Sequence, residues 1–234
     1  MASKNAIKHY LENSYYHIYN RGVEKRQIFY DEQDYAVFLS YLKTYLLPKN
    51  EKQLRDIISN PKTNYKEKDM ALKLLRLNNF SDQITLITYS LMPNHFHFLL
   101  RQTPNIAIDQ FMNSLGVRYT MFFNKKYKRV GRLYQDVYKG VLVDSNEQLL
   151  YLSSYIHRNP LPEKLASQAQ GLQGLLSQPS SLPEYLGQRK TEWVHPEEIL
   201  SYFSKKNPQL DYLSFVKQTE DFSLIKKSLI DSDF

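Results

Sequence analysis

The sequence predicts an α+β chain built on a four-stranded antiparallel sheet of the ferredoxin-like (split βαβ) kind, with helices on one face and a small helical C-terminal region. Three observations lead there. Apolar residues make up 42% and charged residues 24% of 234 residues, ordinary proportions for one sizeable core with an appendage. Strand-like and helix-like stretches follow one another in the order β-α-insertion-β-β-α-β-α. Two of the strands are joined by Pro93-Asn94, a tight-turn pair that makes them an antiparallel hairpin.

The first strand is the β-prone run 14–20, closed by the turn signal Arg21-Gly22. A helix follows over 31–47, where Tyr35, Phe38, Leu39, Leu42 and Leu46 recur at helical spacing until Pro48 stops it. Residues 49–82 are polar and charged and form an insertion between core elements, with one helix expected in its middle, over 65–77. Strands are expected at 84–92 and 95–101, a long helix at 107–127 and a fourth strand at 133–143. The last core helix spans 147–158 and ends before Asn159-Pro160, because proline disfavours helix at the residue before it. One catalytic domain would therefore cover 1–162. Residues 163–190, rich in Gln, Ser, Gly and Pro, are expected to be a linker, and 191–234 a small helical region that begins at His195-Pro196-Glu197-Glu198. One sheet face would carry helices and leave the other open for chemistry or nucleic acid.

The net charge is +7, and it is concentrated. Between Arg101 and Gly140 stand Arg101, Arg118, Lys125, Lys126, Lys128, Arg129, Arg132 and Lys139 against only Asp109 and Asp136. A localised basic patch is the footprint of a polyanion partner, although a solvated lysine-rich helix end gives the same pattern. Absence of cysteine excludes disulfides and thiolate metal sites. No secretory leader and no membrane-length apolar run is evident, so a cytoplasmic protein without membrane attachment is expected.

Two clusters carry chemistry. His95-Phe96-His97 sits on an otherwise apolar strand, where residues two apart share a face roughly 7 Å apart. Two imidazoles can converge there on one metal ion, with Phe96 turned to the core; two histidines on a solvated face is the plainer reading. Tyr155 and Asn159 are neighbours on one helix face, as residues four apart are. Tyr151 lies on the same stripe, and spacing alone does not say which tyrosine is reactive.

Four segments then carry a resemblance. LMPNHFHFLL (91–100) is similar to the His-apolar-His (HUH) motif of single-tyrosine transposases, and YIHRNPL (155–161) resembles the Tyr-Ile-x-x-Asn-Pro motif of their REP-associated group. YHIYNRG (16–22) and GRLYQDVYKG (131–140) resemble that group's first strand and its Gly-x-Leu-aromatic-Gln segment. The match runs in order across about 14–162, and the long insertion at 49–82 departs from the minimal pattern. The resemblance implies an IS200-like DNA strand transferase, a mobile-element enzyme that cuts and rejoins single-stranded DNA. Tyr155 would be the nucleophile, and His95, His97 and Asn159 would hold Mg²⁺ or Mn²⁺. It implies DNA with hairpin repeats as partner, and admits both a homodimer with the tyrosine helix donated in trans and a monomer.

A tyrosine hydroxyl ionises near pH ~10, so a nearby metal would help to stabilise the phenolate. The product would be a 5′-phosphotyrosine and a free 3′-OH. The ester keeps the bond energy for rejoining, in line with the lack of a P-loop signature. Arg21, Arg118, Lys125, Lys126, Arg129 and Arg132 are candidates to contact DNA, with Tyr134 as a base-stacking surface. Tyr16 and His17 are further candidates near the site, with structural roles equally open. The competing readings are a non-catalytic single-stranded DNA or RNA binder of the same fold, including a domesticated transposase, and a metal-dependent phosphodiesterase that uses water.

Overall fold

The structure, a computed structural model, describes residues 10–159, 174, 176 and 179–218. The core elements are β1 (Ser14–Arg21), α1 (Glu32–Leu46), α2 (Glu51–Ser59), α3 (Tyr65–Arg76), β2 (Ile84–Met92), β3 (His95–Gln102), α4 (Ala107–Lys126), β4 (Lys139–Leu142) and α5 (Asn146–Arg158). The sheet order is β2-β3-β1-β4, and every pairing is antiparallel. That is the ferredoxin-like order, with β1 inserted between the hairpin β2-β3 and the last strand.

Side-chain alternation along the strands sorts the core into two. On one face, Ile18, Phe96, Phe98 and Leu100 meet Phe38 and Leu42 of α1 and Phe111, Leu115 and Tyr119 of α4. The rings of Phe38 and Tyr119 cross edge to face at 4.9 Å, the geometry that aromatic quadrupoles favour. The opposite face is not left open. Ile87, Leu99 and Val143 pack beneath Leu149, Leu152 and Ile156 of α5, and Leu182, Tyr185, Ile199, Tyr212 and Val216 close over them. The expectation of a free second face is corrected by α5, whose apolar stripe needs a partner and finds it there.

The insertion contains two helices rather than the one expected. An asparagine caps the start of each: Asn50 Oδ1 accepts from the Gln53 amide at 3.0 Å, and Asn64 Oδ1 from the Glu67 amide at 2.9 Å. The fourth strand is shorter than 133–143 and runs only over Lys139–Leu142. Before it the chain is irregular and tied down by the Val23 amide on Leu133 O and the Gln135 amide on Arg21 O, both at 2.9 Å. Leu133 and Tyr138 are buried there. The apolar spacing of that run serves core anchoring, not pairing.

Within the expected linker, the described stretch from 179 onward is packed. The Leu91 amide donates to Pro179 O at 2.9 Å, and the Ser181 amide to Tyr89 O at 3.0 Å, so this segment covers the outer edge of β2. The one-turn helix Leu182–Tyr185 follows, and farther on come the helices Glu197–Leu200 and Pro208–Gln218. Residues 163–173, 175, 177 and 178 of the linker lie outside the described residues, as do 160–162 and 219–234. No helix among the described residues is long and apolar enough to cross a membrane.

A buried polar cluster ties α5 to this outer layer. His157 is fully buried, with Nδ1 2.7 Å from the Tyr212 hydroxyl and Nε2 2.9 Å from Ser181 Oγ. Burial pushes its pKa down to about 3, so the ring is neutral. His157→Leu would roughly keep the volume and delete both bonds. We expect it to cost about 1–3 kcal/mol, the range for a buried hydroxyl stripped of its partner, measured by urea denaturation.

Candidate active site

β3 is the middle of the sheet's working half, and its alternation divides its residues cleanly. Phe96, Phe98 and Leu100 enter the α1–α4 core, while His95, His97 and Leu99 face α5. Across the ladders His97 lies opposite Tyr19 of β1 and Ser90 of β2, and His95 opposite Arg21 and Met92. The turn that starts β3 is anchored from outside. The Ile28 and Phe29 amides both donate to Pro93 O, at 2.7 and 3.0 Å, and the Gly22 amide donates to Asn94 O at 2.9 Å.

Both histidines are tied down at Nδ1. His95 Nδ1 lies 2.6 Å from Asn94 Oδ1, and its Nε2 lies 3.3 Å from Asn159 Oδ1 at the end of α5. His97 Nδ1 lies 2.8 Å from His17 Nε2, the two rings stacked at 5.1 Å. His97 Nε2 is buried with no hydrogen-bond partner. Burial, then the neighbouring His95, His17 and Arg21, hold the His97 pKa well below the usual imidazole range, so its orphan nitrogen is a neutral lone-pair donor or a lone N–H.

Tyr155 meets this pair edge on. Its ring lies 5.8 Å from that of His97 and 6.4 Å from that of His17. Tyr151, one turn earlier, packs against Phe215 at 5.6 Å instead. The structure therefore brings Tyr155, His95, His97 and Asn159 together, adds His17, and leaves Tyr151 outside.

Among the described residues no three His, Cys, Asp or Glu side chains form a metal cluster. The third donor here is an amide, and the residues present do fit a divalent ion. A buried imidazole nitrogen without a partner, a second imidazole and an amide oxygen meet at one place, with the rings oriented by Asn94 and His17.

Beside the histidines is a cleft of about 380 Å³ whose lining includes Tyr19, Arg21, Lys25 and Lys139. Lys25 was not singled out by sequence, and Lys139 only as one member of the basic patch. The register that sets Lys139 opposite Tyr19 is a long-range fact with no local signal.

The other expected DNA contacts are scattered. Arg118 stacks on Tyr41, 3.9 Å from the ring centre, in the helical layer on the far side of the sheet from the histidines. Lys126 is committed to Asp31 and Asp34, each at 2.7 Å. Arg129 donates to Asn124 Oδ1 at 3.1 Å, while Lys125 and Arg132 are exposed. Tyr134 is not an exposed platform: its ring abuts Phe96 at 6.0 Å and its hydroxyl is buried. Of these residues only Arg21 borders the histidine site.

With this geometry in hand, comparison with known proteins is direct. A family model described as IS200-like transposase matches residues 62–159, a span that contains both histidines, Tyr155 and Asn159. No curated protein matches the chain. Among solved structures, a REP-associated tyrosine transposase bound to a REP hairpin aligns at 10% identity and a TM-score of 0.34, covering 67% of this chain and 72% of that one. A candidate transposase from Deinococcus radiodurans R1 aligns at 16% identity and 0.27, covering 62% and 90%. Overlaps this loose bear on neither activity nor geometry.

The Lys126 pairs give a direct check on the sorting of the basic residues. Asp34 is fully buried, so Lys126→Ala would strand its carboxylate. The variant should melt at lower temperature in a thermal scan, by several degrees or more.

Proposed function

With residues 62–159 matching the IS200-like transposases, we propose that this chain is a single-tyrosine strand transferase that cuts and rejoins single-stranded DNA at hairpin-flanked sites. The observation that carries this reading is the meeting of the Tyr155 ring with the His95–His97–Asn159 donor set.

The Tyr155 hydroxyl oxygen would attack the scissile phosphorus. A Tyr–O–P bond forms, the bond from phosphorus to the 3′ oxygen breaks, the phenolic proton passes to solvent, and the leaving oxygen is protonated to a 3′-OH. The 5′-phosphotyrosine keeps the ester, and attack by a 3′-OH reverses the step without ATP. Magnesium or manganese, held by His95, His97 and Asn159, would supply Lewis-acid polarisation of the phosphate. Arg21, Lys25 and Lys139 line the adjoining cleft and would draw the phosphodiester backbone toward the site. Asn94 and His17 would orient the two imidazoles. Enclosure of α5 by Tyr212 and Val216 supports a tyrosine that acts within its own chain.

The test uses labelled single-stranded hairpin oligonucleotides from the DNA beside the protein's own gene, with Mn²⁺ or EDTA, resolved on a denaturing protein gel. A metal-dependent band at protein-plus-DNA mass is expected, lost in Tyr155→Phe and kept in Tyr151→Phe. A band that survives Tyr155→Phe, or cleavage with no band, would overturn the assignment. For the donor set, His17→Ala frees the His97 ring, and Mn²⁺ affinity measured by calorimetry should fall about 10–100-fold, as when other ligand-orienting partners are removed.

A further inference from the structure

On the far side of the 132–138 segment from the histidines lies a hollow of about 670 Å³, between that segment and α4. Its size is that of a ligand site. Its rim is apolar and unusually exposed: Val117 is 52%, Val137 61% and Met121 68% accessible. Single exposed apolar residues are ordinary, but three around one concavity are a patch with a use.

Gly116 makes the space. It stands mid-way in the twenty-residue α4, where glycine is a poorer helix former than alanine. A Cβ added there would meet nothing nearer than a ring carbon of Tyr134, at 3.9 Å. Packing therefore does not demand a glycine at this position. What its missing side chain does is leave room over the floor of the hollow, which includes Leu115 and the Tyr134 ring.

The hollow and the cleft beside the histidines share Asn20, Asp136 and Val137 as a common wall, so the two adjoin. Their chemistry differs. The cleft sets Arg21, Lys25 and Lys139 against Glu24 and Asp136, a balance that stays positive and suits phosphates. The hollow has Asp109 and Asp136 against Arg132, with apolar walls. Carboxylates repel a phosphate and accept from the amino edge of a base, while flat apolar walls suit its faces.

We propose that this hollow is a nucleobase subsite, which takes an unpaired, amino-bearing base of a DNA strand whose phosphates run through the adjoining cleft. The inference rests on the DNA reading above and extends it to strand path and base selection. The occupant follows from the shared wall with the cleft beside the candidate active site and from the change of lining from cationic to apolar and acidic.

The test is binding of the full chain in EDTA, where no strand transfer is expected, to fluorescent oligo(dC) and to an abasic oligomer of equal length. Wild type should prefer the oligomer with bases. Gly116→Leu, which fills the hollow, should lower oligo(dC) affinity about ten-fold, within the range for loss of a stacked base, and leave abasic binding unchanged. Gly116→Ala should melt higher than wild type, which separates a space requirement from a folding one. Met121→Glu, on the exposed rim, should reproduce the loss if Gly116→Leu folds poorly. Unchanged oligo(dC) preference in Gly116→Leu and Met121→Glu overturns the subsite while the covalent-adduct result stands by itself. Failure of wild type to bind either oligomer overturns the DNA reading and the subsite together. Loss of the adduct's dependence on Tyr155, with base preference intact, overturns only the assigned nucleophile.

Discussion

Because β3 is buried on both faces and hydrogen-bonded on both edges, its register sets nearly everything else in the molecule. One face carries Phe96, Phe98 and Leu100 into the aromatic core under α1 and α4, and the other carries His95, His97 and Leu99 toward α5. A slip of one residue would drive two imidazoles into the aromatic core and turn the phenylalanines toward α5. The cost of that exchange is what pins the histidines. The anchoring of Pro93 and Asn94 by three amides from the Gly22–Phe29 stretch then fixes where the strand begins.

The second face couples stability to chemistry. α5 delivers Tyr155 and Asn159 to the histidines, and its opposite side is held by the Tyr212 and Ser181 bonds of His157. Arg158 reaches Val216 O at 3.2 Å on the same side. Opposite sides of the same turn of one helix thus serve the site and the outer layer. Adding 179–181 along the outer edge of β2 braces the strand that flanks β3. The outer layer therefore acts on the position of Tyr155 without touching the site.

How much of this was legible in the sequence depended on the range of the interaction involved. The sheet, α1, α4 and α5 were readable because periodicity and cap residues are local, and the boundaries of β2 agree to the residue. The His95–His97 pair was readable because strand alternation is local too. Tyr151 and Tyr155 could not be told apart, since both satisfy one helical stripe; only what each meets, Phe215 or the histidines, separates them. Lys126 looked like any helix-end lysine until Asp31 and Asp34 arrived from the start of α1. Tyr134 looked like a free aromatic, but Phe96 meets its ring edge to face and its hydroxyl is buried, which leaves it half-buried on the floor of the hollow beside α4. β4 was overestimated because a segment pinned into a core and a segment paired in a sheet carry the same apolar residues.

The charge of the donor set has a chemical consequence. Burial holds His97 unprotonated, Asn159 is an uncharged amide, and His95 would bind a cation only as the neutral imidazole. A divalent ion bound by them would keep its full charge for the oxygens of the substrate, whereas carboxylate ligands would spend part of it. The surroundings follow the same logic: the groups that border the cleft beside it include Arg21, Lys25 and Lys139. Such a site is electrostatically unbalanced until an anion enters. In the proposed strand transfer an entering phosphodiester would supply that negative charge, and a phenolate formed at Tyr155 would be stabilised by the same unspent field. Neutral ligands, flanking cations and a tyrosine at the edge of the histidine pair would then be three expressions of one requirement of that reaction, that negative charge be stabilised more strongly as it proceeds than before it begins.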